Sequence, residues 1–370
     1  MTFRKITGRP SRSKVPLRSK LDAEVVIAGD VGGTNARFAF FDLEGKHALH
    51  QEVLPSRSFA SFEAALGTFL ANAPQPRRIR ATSIGIAGPI VDQRVKTTNL
   101  PWRIDAHAVS RDLDLRNVTL LNDLVAVGLG ALSLPPRKLT SLHKGFPKRH
   151  GGNLAAIAAG TGLGEAAFIW DGQTHVPCPS EGSHVDFAPR TPIEQELFDL
   201  LAAEFGHVSY ERVASGSTIS VIYEFFVREQ RVRESKRAAS FVGQAPDPNA
   251  AVVELAVNGT SEAAMRAVEM WASVYGAEAG NLALKSLATA GVYVCGGVSV
   301  HLAGVLAHGL PARRRGGASA SRFVEAFVDK GRMRPLLEKI PICVVLEPLA
   351  GLRGAAAHAA RIAAATIRTR

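Results

Sequence analysis

Apolar residues gather in short runs divided by glycine turns at two places along the chain, and the two places share one grammar. Segment 24–42, Glu-Val-Val-Ile-Ala-Gly-Asp-Val-Gly-Gly-Thr-Asn-Ala-Arg-Phe-Ala-Phe-Phe-Asp, is an apolar run, a glycine turn and a second apolar run, the pattern of a β-hairpin. Segment 154–171, Leu-Ala-Ala-Ile-Ala-Ala-Gly-Thr-Gly-Leu-Gly-Glu-Ala-Ala-Phe-Ile-Trp-Asp, repeats that order down to its closing Asp171, so the chain reads as internally duplicated.

Between the hairpins, apolar runs at 83–87 and 118–121 predict two further strands. The second leads through Asn122 and Asp123 into a helical pattern with Leu124, Val127, Leu129 and Leu132 as its apolar positions. The stretch 135–152, rich in Pro, Gly, Lys and His, is the expected domain boundary. Beyond it, Thr191-Pro-Ile-Glu194 is a capping box with Pro at the first helical position, and Ile193, Leu197, Leu200 and Leu201 form one face of a helix ending at Gly206. The pattern places 228–249 on the surface and predicts a long helix over 261–288, interrupted at Gly276 and Gly280. A strand over 292–295 ending in Gly296-Gly297 and a last helix over 351–366 complete the chain. Strands alternating with helices in two similar halves predict an α/β protein of two lobes with a cleft between them.

Composition narrows this without redirecting it. With 370 residues, 46% hydrophobic and 21% charged, the chain is an ordinary folded protein of about two domains. The net charge of +11 is concentrated: Arg4, Lys5, Arg9, Arg12, Lys14, Arg18 and Lys20 precede the first acid, Asp22. Such a segment reads as a solvated basic arm, with no apolar core of a secretory signal. Apart from Phe3 it carries no aromatic residue to stack on bases, which disfavours a nucleic-acid role. Cys178, Cys295 and Cys343 are few and far apart, as in a reducing compartment. The longest uncharged stretch, 291–310, is broken by glycines and reads as strand, turn and helix, so no membrane span is expected.

The two glycine turns are the candidate chemistry, because glycine lets successive backbone N–H groups converge on one phosphate. Gly160-Thr-Gly-Leu-Gly164 lacks the Gly-Lys-Ser/Thr ending of a Walker A loop and the spacing of a dinucleotide fingerprint. The residues after each turn, 38–42 and 166–171, read as strand, where those motifs require a helix. Two such turns in equivalent places, the first with Asp30 and Thr34, favour phosphate binding over a purely structural role. A zinc reading of His175, Cys178 and His184 lacks an evident fourth ligand.

Taken together, Gly29-Asp-Val-Gly-Gly-Thr-Asn-Ala-Arg37, Leu121-Asn-Asp123, Gly160 to Gly164, Glu181-Gly-Ser-His-Val-Asp-Phe-Ala-Pro189, Tyr210-Glu-Arg-Val213 and Gly296-Gly-Val298 resemble the bacterial glucokinases of the hexokinase, actin and Hsp70 superfamily. The resemblance implies a duplicated ribonuclease H-like fold with an interdomain active-site cleft. The implied division is a basic arm over 1–21, a small α/β domain over 22–133 plus 351–370, and a large α/β domain over 134–350. It implies a cytoplasmic kinase for glucose and ATP with Mg²⁺, and a homodimer is expected. Gly29, Asp30, Val31, Gly32, Gly33 and Thr34 would form the first phosphate loop, with Asp30 holding Mg²⁺ largely through water. Gly160, Thr161, Gly162 and Gly164 would form the second loop, and Gly296 and Gly297 would lie under the adenosine. Asn99, Asn122, Asp123, Glu181, His184 and Glu211 would hold the sugar. Ser183 departs from the family pattern, where glycine is expected.

At the junction of strand and helix, backbone N–H groups favour a carboxylate, so Asp123 is expected to stay ionised and act as a weak general base. A weak base suffices where the hydroxyl proton leaves late, as in phosphoryl transfer. The same position suits a helix cap, a role Asn122 can fill while Asp123 works. Glu181, His184 and Glu211 can pair with vicinal hydroxyls, although Glu211 alone would read as an early-helix acid after Ser209. Two alternatives stay open: a sugar-responsive regulator on the same fold, or a kinase for another hexose or for polyphosphate as donor.

Overall fold

The computed structural model describes residues 20–146, 151–311 and 321–368. The chain forms strands β1 (Lys20–Val31), β2 (Asn35–Phe41), β3 (Ala48–Pro55), β4 (Gln75–Ile86), β5 (Arg94–Lys96), β6 (Arg103–Asp105) and β7 (Val118–Asn122) before the midpoint. It continues with β8 (Leu139–His143), β9 (Leu154–Ala159), β10 (Leu163–Trp170), β11 (His175–Ser180), β12 (Gly291–Cys295) and β13 (Ile342–Val345). Two large sheets result, ordered β3-β2-β1-β4-β7 and β11-β10-β9-β12-β13-β8, with β5 and β6 as a separate ribbon.

The duplication read from the sequence is a duplication of topology. In each half a three-stranded antiparallel meander (β1 to β3, β9 to β11) is joined along its first strand by two parallel strands (β4 and β7, β12 and β13). Both glycine turns are hairpin turns, as expected: Asp30 pairs with Arg37 across the first and Ala159 with Leu163 across the second. The basic segment before Asp22 lies outside the described residues except for Lys20 and Leu21, which already pair with Gln75 and Pro76 in the sheet.

The central strands of each sheet are buried on both faces, and strand alternation divides the faces cleanly. On β1, Val25 and Ile27 join the core with Phe38, Phe40, Phe62 and Phe69. Val26 and Ala28 face the other way, onto Leu352, Ala355, Ala356 and Ala359 of the C-terminal helix Ala350–Arg368. In the second sheet Ile157, Val292 and Val344 face the largest core, under helices Pro192–Phe205, Ile219–Arg228 and Glu262–Lys285. Ala156, Ala166 and Phe168 face Leu124, Val125 and Ala126 of the helix Asp123–Ala131. That helix and the C-terminal helix therefore form a layer between the two sheets. They cross at glycines: a Cβ on Gly130 would overlap the Ala350 carbonyl, and one on Gly354 would overlap the Ala126 carbonyl.

Several local expectations need correcting. The helix over 262–285 is continuous: Gly276 and Gly280, four residues apart on one face, admit Phe323 and Phe327 of the helix Arg322–Val328, whose carbonyls a Cβ would meet. Segment 228–249 contains a capped helix, Lys236–Gln244, with Ala238 and Val242 buried. Leu200 is exposed although Leu197 and Leu201 are buried. On the Asp123–Ala131 helix the buried positions include Val125, Ala126, Gly128 and Gly130, whereas Val127, Leu129 and Leu132 are partly buried, because neighbours surround this helix on several sides. The strand predicted over 83–87 starts at Gln75, since only its last six residues are buried and carry the apolar signal.

His358, on the buried side of the C-terminal helix, shares a hydrogen bond of 2.8 Å between its Nδ1 and Ser83 Oγ of β4. Burial, aided by the Arg361 charge, pushes its imidazolium pKa down to about 4. The folded protein thus holds His358 neutral while the unfolded chain charges near pH 6.5. Its stabilising contribution is complete above about pH 6.5 and disappears as pH falls toward 4, a loss of up to about 3 kcal/mol. Thermal unfolding across that window should show a decline that His358→Leu flattens.

Candidate active site

The carboxyl ends of the parallel strands of both sheets meet at one crevice, the place where α/β sheets bind ligands. The residues there assemble from the strand ends outward. Asp30 lies at the end of β1, Asn122 at the end of β7, Gly160 comes after β9 and Gly296 after β12. Gly296 has φ +90, and a Cβ there would stand 2.8 Å from the Ala159 carbonyl, so this turn from β12 into the helix Gly297–His301, close against the end of β9, needs glycine.

The first turn is held from behind. Gly32 N–H donates to the Asn35 carbonyl at 3.0 Å, Ser56 N–H donates to the Thr34 carbonyl at 2.9 Å, and the Ser56 hydroxyl donates to the Gly32 carbonyl at 2.8 Å. Gly32 and Thr34 remain exposed. Gly33 packs against Asn99, whose Cβ lies 2.8 Å from where a Gly33 Cβ would be. Gly29 and Val31 play a different part: Gly29 sits inside the sheet under Ile84, and Val31 is buried in the core.

Asn122 and Asp123 divide the labour at the start of their helix. Asn122 Oδ1 caps it, accepting from Leu124 N at 3.0 Å and Val125 N at 3.3 Å, while Asp123 Oδ1 accepts from Leu124 N at 2.9 Å. Burial pushes the Asp123 carboxyl above the usual aspartate value, with the Leu124 N–H opposing it. The helix terminus therefore does not dominate, contrary to the expectation from position alone. Asp30 is pushed up too, first by burial and further by the charge of Asp123, against Arg37 at 3.8 Å. Two neighbouring carboxyls, with the Arg37 guanidinium beside Asp30, form a place that a divalent cation would stabilise, so Asp30 fits the outer holding of Mg²⁺.

The second turn links the sheets. Gly164 packs on Leu124, next to Asp123, and Leu163 N–H donates to Glu211 Oε2 at 3.0 Å. A Cβ on Gly162 would come 2.5 Å from the same Glu211 oxygen. Glu211 Oε1 lies 3.8 Å from His184 Nδ1, and His184 Nε2 lies 3.9 Å from Glu181 Oε2, so the three form one polar arc. Ser183 is 1% exposed, which keeps its hydroxymethyl out of the open crevice. His175 is occupied by the Gly152 carbonyl at 3.1 Å, and among the described residues no group of three or more His, Cys, Asp or Glu is arranged to hold a metal ion.

Beyond the second turn opens a cavity of about 490 Å³ lined by Gly160, Thr161, Ser217, Asn249, Gly297 and His301, among others. Its size is within the range of small-molecule sites. Gly216 N–H donates to the Gly160 carbonyl at 2.9 Å and Ser217 Oγ to the Thr161 carbonyl at 2.7 Å, so the loop 215–218 fixes the second turn. Sequence reasoning missed this wall. The small polar cluster Ser-Gly-Ser-Thr ahead of an apolar helix is the available signal for the loop. The sequence pattern places Asp247 and Asn249 in a surface excursion, yet both line the cavity.

Comparison with known proteins shows the family and the fold. A sequence profile for the family described as Glucokinase matches residues 27–362. The chain belongs to the glucokinase family. Glucokinase of Nostoc punctiforme is 37% identical over 355 residues, covering 91% of this chain and 99% of its own. That of Trichormus variabilis is 35% identical over 353 residues, with the same coverage. The crystal structure of glucokinase from an Antarctic psychrotroph superposes with a TM-score of 0.74 at 27% identity, covering 92% of this chain and all of that one. The glucokinase family thus carries the duplicated α/β fold expected from the sequence.

In this glucokinase-family chain, Gly162→Ala is expected to push the Glu211 carboxylate off the Leu163 amide. A hydrogen bond to a charged group contributes about 1.5–3 kcal/mol when buried, and less at this half-exposed site. Denaturant unfolding should report a loss of about 1 kcal/mol.

Proposed function

We propose that this chain transfers the terminal phosphoryl group of ATP to the 6-hydroxyl of D-glucose, the first step of glycolysis, with Asp123 as general base. The observation that supports this reading is the run of contacts around Asp123: Asp30 acts on its charge, Gly164 of the second turn packs on Leu124, and Glu211 joins that turn to His184 and Glu181. Family membership supports the activity, and the geometry supports the division of roles.

Glucose would lie against Asn99, Asn122, Glu181, His184 and Glu211, whose acceptors and imidazole match a ring of vicinal hydroxyls and penalise an analogue that leaves them unpaired. ATP would place its base and ribose in the cavity beside Gly296 and Gly297, and its phosphates between the two glycine turns. Backbone amides of those turns would bind the phosphate oxygens and hold the donor in line with the 6-hydroxyl. Mg²⁺ arriving with ATP, and held by Asp30 mainly through water, would neutralise charge on the transferring group. Asp123 orients the hydroxyl by accepting its hydrogen bond and takes the proton as the new O–P bond forms and ADP departs. A carboxyl raised by burial is a better base than an ordinary aspartate. The proposal includes a cytoplasmic location and a homodimer; among the described residues no helix is long and apolar enough to cross a membrane.

Purified protein with glucose and Mg-ATP, read by coupled detection of glucose 6-phosphate, tests the activity directly. Sugar binding without turnover would instead favour a regulator, and panels of hexoses and of donors, polyphosphate included, would redefine the substrates. Asp123→Ala is expected to lose about 10²–10⁴-fold in kcat while glucose binding stays measurable. Unchanged turnover would remove Asp123 from its role. In the parent protein kcat should fall as pH falls, because the base must be ionised. The midpoint of that fall should lie above the ordinary aspartate value of 3.8, as burial of Asp123 requires.

A further inference from the structure

Beneath the turn that carries Glu181 and His184 lies a carboxyl group for which phosphoryl transfer has no direct use. Strand register fixes its place. Glu165 on β10 pairs with Ser180, the last residue of β11, so the chain leaving β11 folds over the Glu165 side chain. The contact is direct: a Cβ on Gly182 would overlap Glu165 Oε2, while Gly182 N–H donates to Ser180 Oγ at 2.9 Å. Glu165 is 2% exposed, and against it stands Glu278 of the Glu262–Lys285 helix, 0% exposed.

Two buried carboxyls in contact cannot both be charged at modest cost, so the pair holds a proton. Glu278 is the acceptor: its Oε2 receives Asn281 Nδ2 at 2.8 Å and its Oε1 receives Lys285 Nζ at 3.3 Å. Glu165 carries the proton, since burial and the Glu278 charge push it up to about 8 and its buried Oε1 has no hydrogen-bond donor to hold it as a carboxylate. The chain of bonds continues to the far side of the proposed sugar site. Asn281 Nδ2 also donates to the Tyr210 hydroxyl at 3.0 Å, and Tyr210 immediately precedes Glu211. Lys330 Nζ steadies Asn281 through its Oδ1 at 2.7 Å.

We propose that Glu165 is a positioning residue for the hexose, its protonated carboxyl supporting the Glu181–His184 turn and, through Glu278, Asn281 and Tyr210, fixing that turn relative to Glu211. The inference rests on the assignment of Glu181, His184 and Glu211 to the sugar. It gives Glu165 no contact with substrate and no part in the chemical step. The buried pair lies directly against the Gly182 turn and neither residue lines the nucleotide cavity, so its loss should act chiefly on glucose.

Glu165→Gln preserves the shape and a donor to Glu278, whereas Glu165→Leu removes both. The Gln variant is expected to keep the KM values for glucose and for ATP within about twofold of the parent. The Leu variant should raise the KM for glucose about tenfold or more, leave that for ATP within about twofold, and quicken amide hydrogen exchange at 181–185 without quickening it in the first sheet. A parent-like glucose KM in the Leu variant, equal rises for both substrates, or a Gln variant as impaired as Leu would overturn the proposal. Should the Leu variant not fold, Glu165→Asp withdraws the carboxyl from Gly182 by one methylene and should raise the glucose KM at least about threefold; a parent-like value there would overturn it equally. Absence of glucose turnover in the parent would defeat the functional reading alone. The exchange comparison, made without substrate, would still decide whether Glu165 holds the turn.

Discussion

The crossing of the Asp123–Ala131 and Ala350–Arg368 helices is the constraint on which the rest of the structure depends. Each helix serves a different sheet, the first packing on Phe168 and its neighbours, the second on Val26 and Ala28. The sheets can therefore approach only as closely as the helices do. Gly130 and Gly354 bring backbone to backbone at that point, with no volume left for a methyl group on either side. A glycine inside a helix costs about 1 kcal/mol relative to alanine, and this layer accepts that cost more than once. What it gains is dense contact between two backbones and a fixed separation of the strand ends that frame the crevice.

That separation sets the electrostatics of the crevice. The C-terminal helix begins against Asp30, with a Gly351 Cβ position 3.2 Å from the Asp30 carboxyl carbon, and the other helix begins at Asp123. Both carboxyls are thereby withdrawn from water, and burial outweighs the helix terminus in setting the affinity of Asp123 for its proton. Positional reasoning from a helix N-terminus gives a contribution of about 0.3–1 kcal/mol at an exposed site. Desolvation of a carboxylate is larger, and it decides the direction.

Most of the scaffold was legible because its signals are local. Hairpins announce themselves by an apolar run, a glycine turn and another apolar run, and the Thr191 cap by residues three apart. Contacts between distant segments left no such trace. Gly276 and Gly280 resemble helix breaks in sequence, and only the presence of Phe323 and Phe327 reveals them as a groove for another helix. Leu200 fits the periodicity and still faces solvent, because among the described residues no element covers that part of its helix. The candidate site divides in the same way. Glycine turns and the Asn122-Asp123 pair are contiguous motifs, whereas the cavity wall formed by Ser217, Asn249 and His301 draws on three separated segments.

Glu165 shows why a buried acid can escape a reading of the sequence. In Gly160-Thr-Gly-Leu-Gly164 the glycines attract attention, and the next residue, Glu165, shares a face with Leu163 and Ala167 in what looks like an ordinary strand. Period-two alternation puts one set of side chains on each face but cannot say that both faces are covered. Here they are, so an acid that would be solvated on an open sheet is enclosed, and burial, reinforced by the Glu278 charge, favours its protonated form. Leu163 and Glu165 together explain why this strand matters to the crevice: the amide of one holds Glu211, and the carboxyl of the other lies under Gly182. A single strand thus touches both sides of the polar arc, and the arc is held by the sheet as well as by the bonds within its own loops.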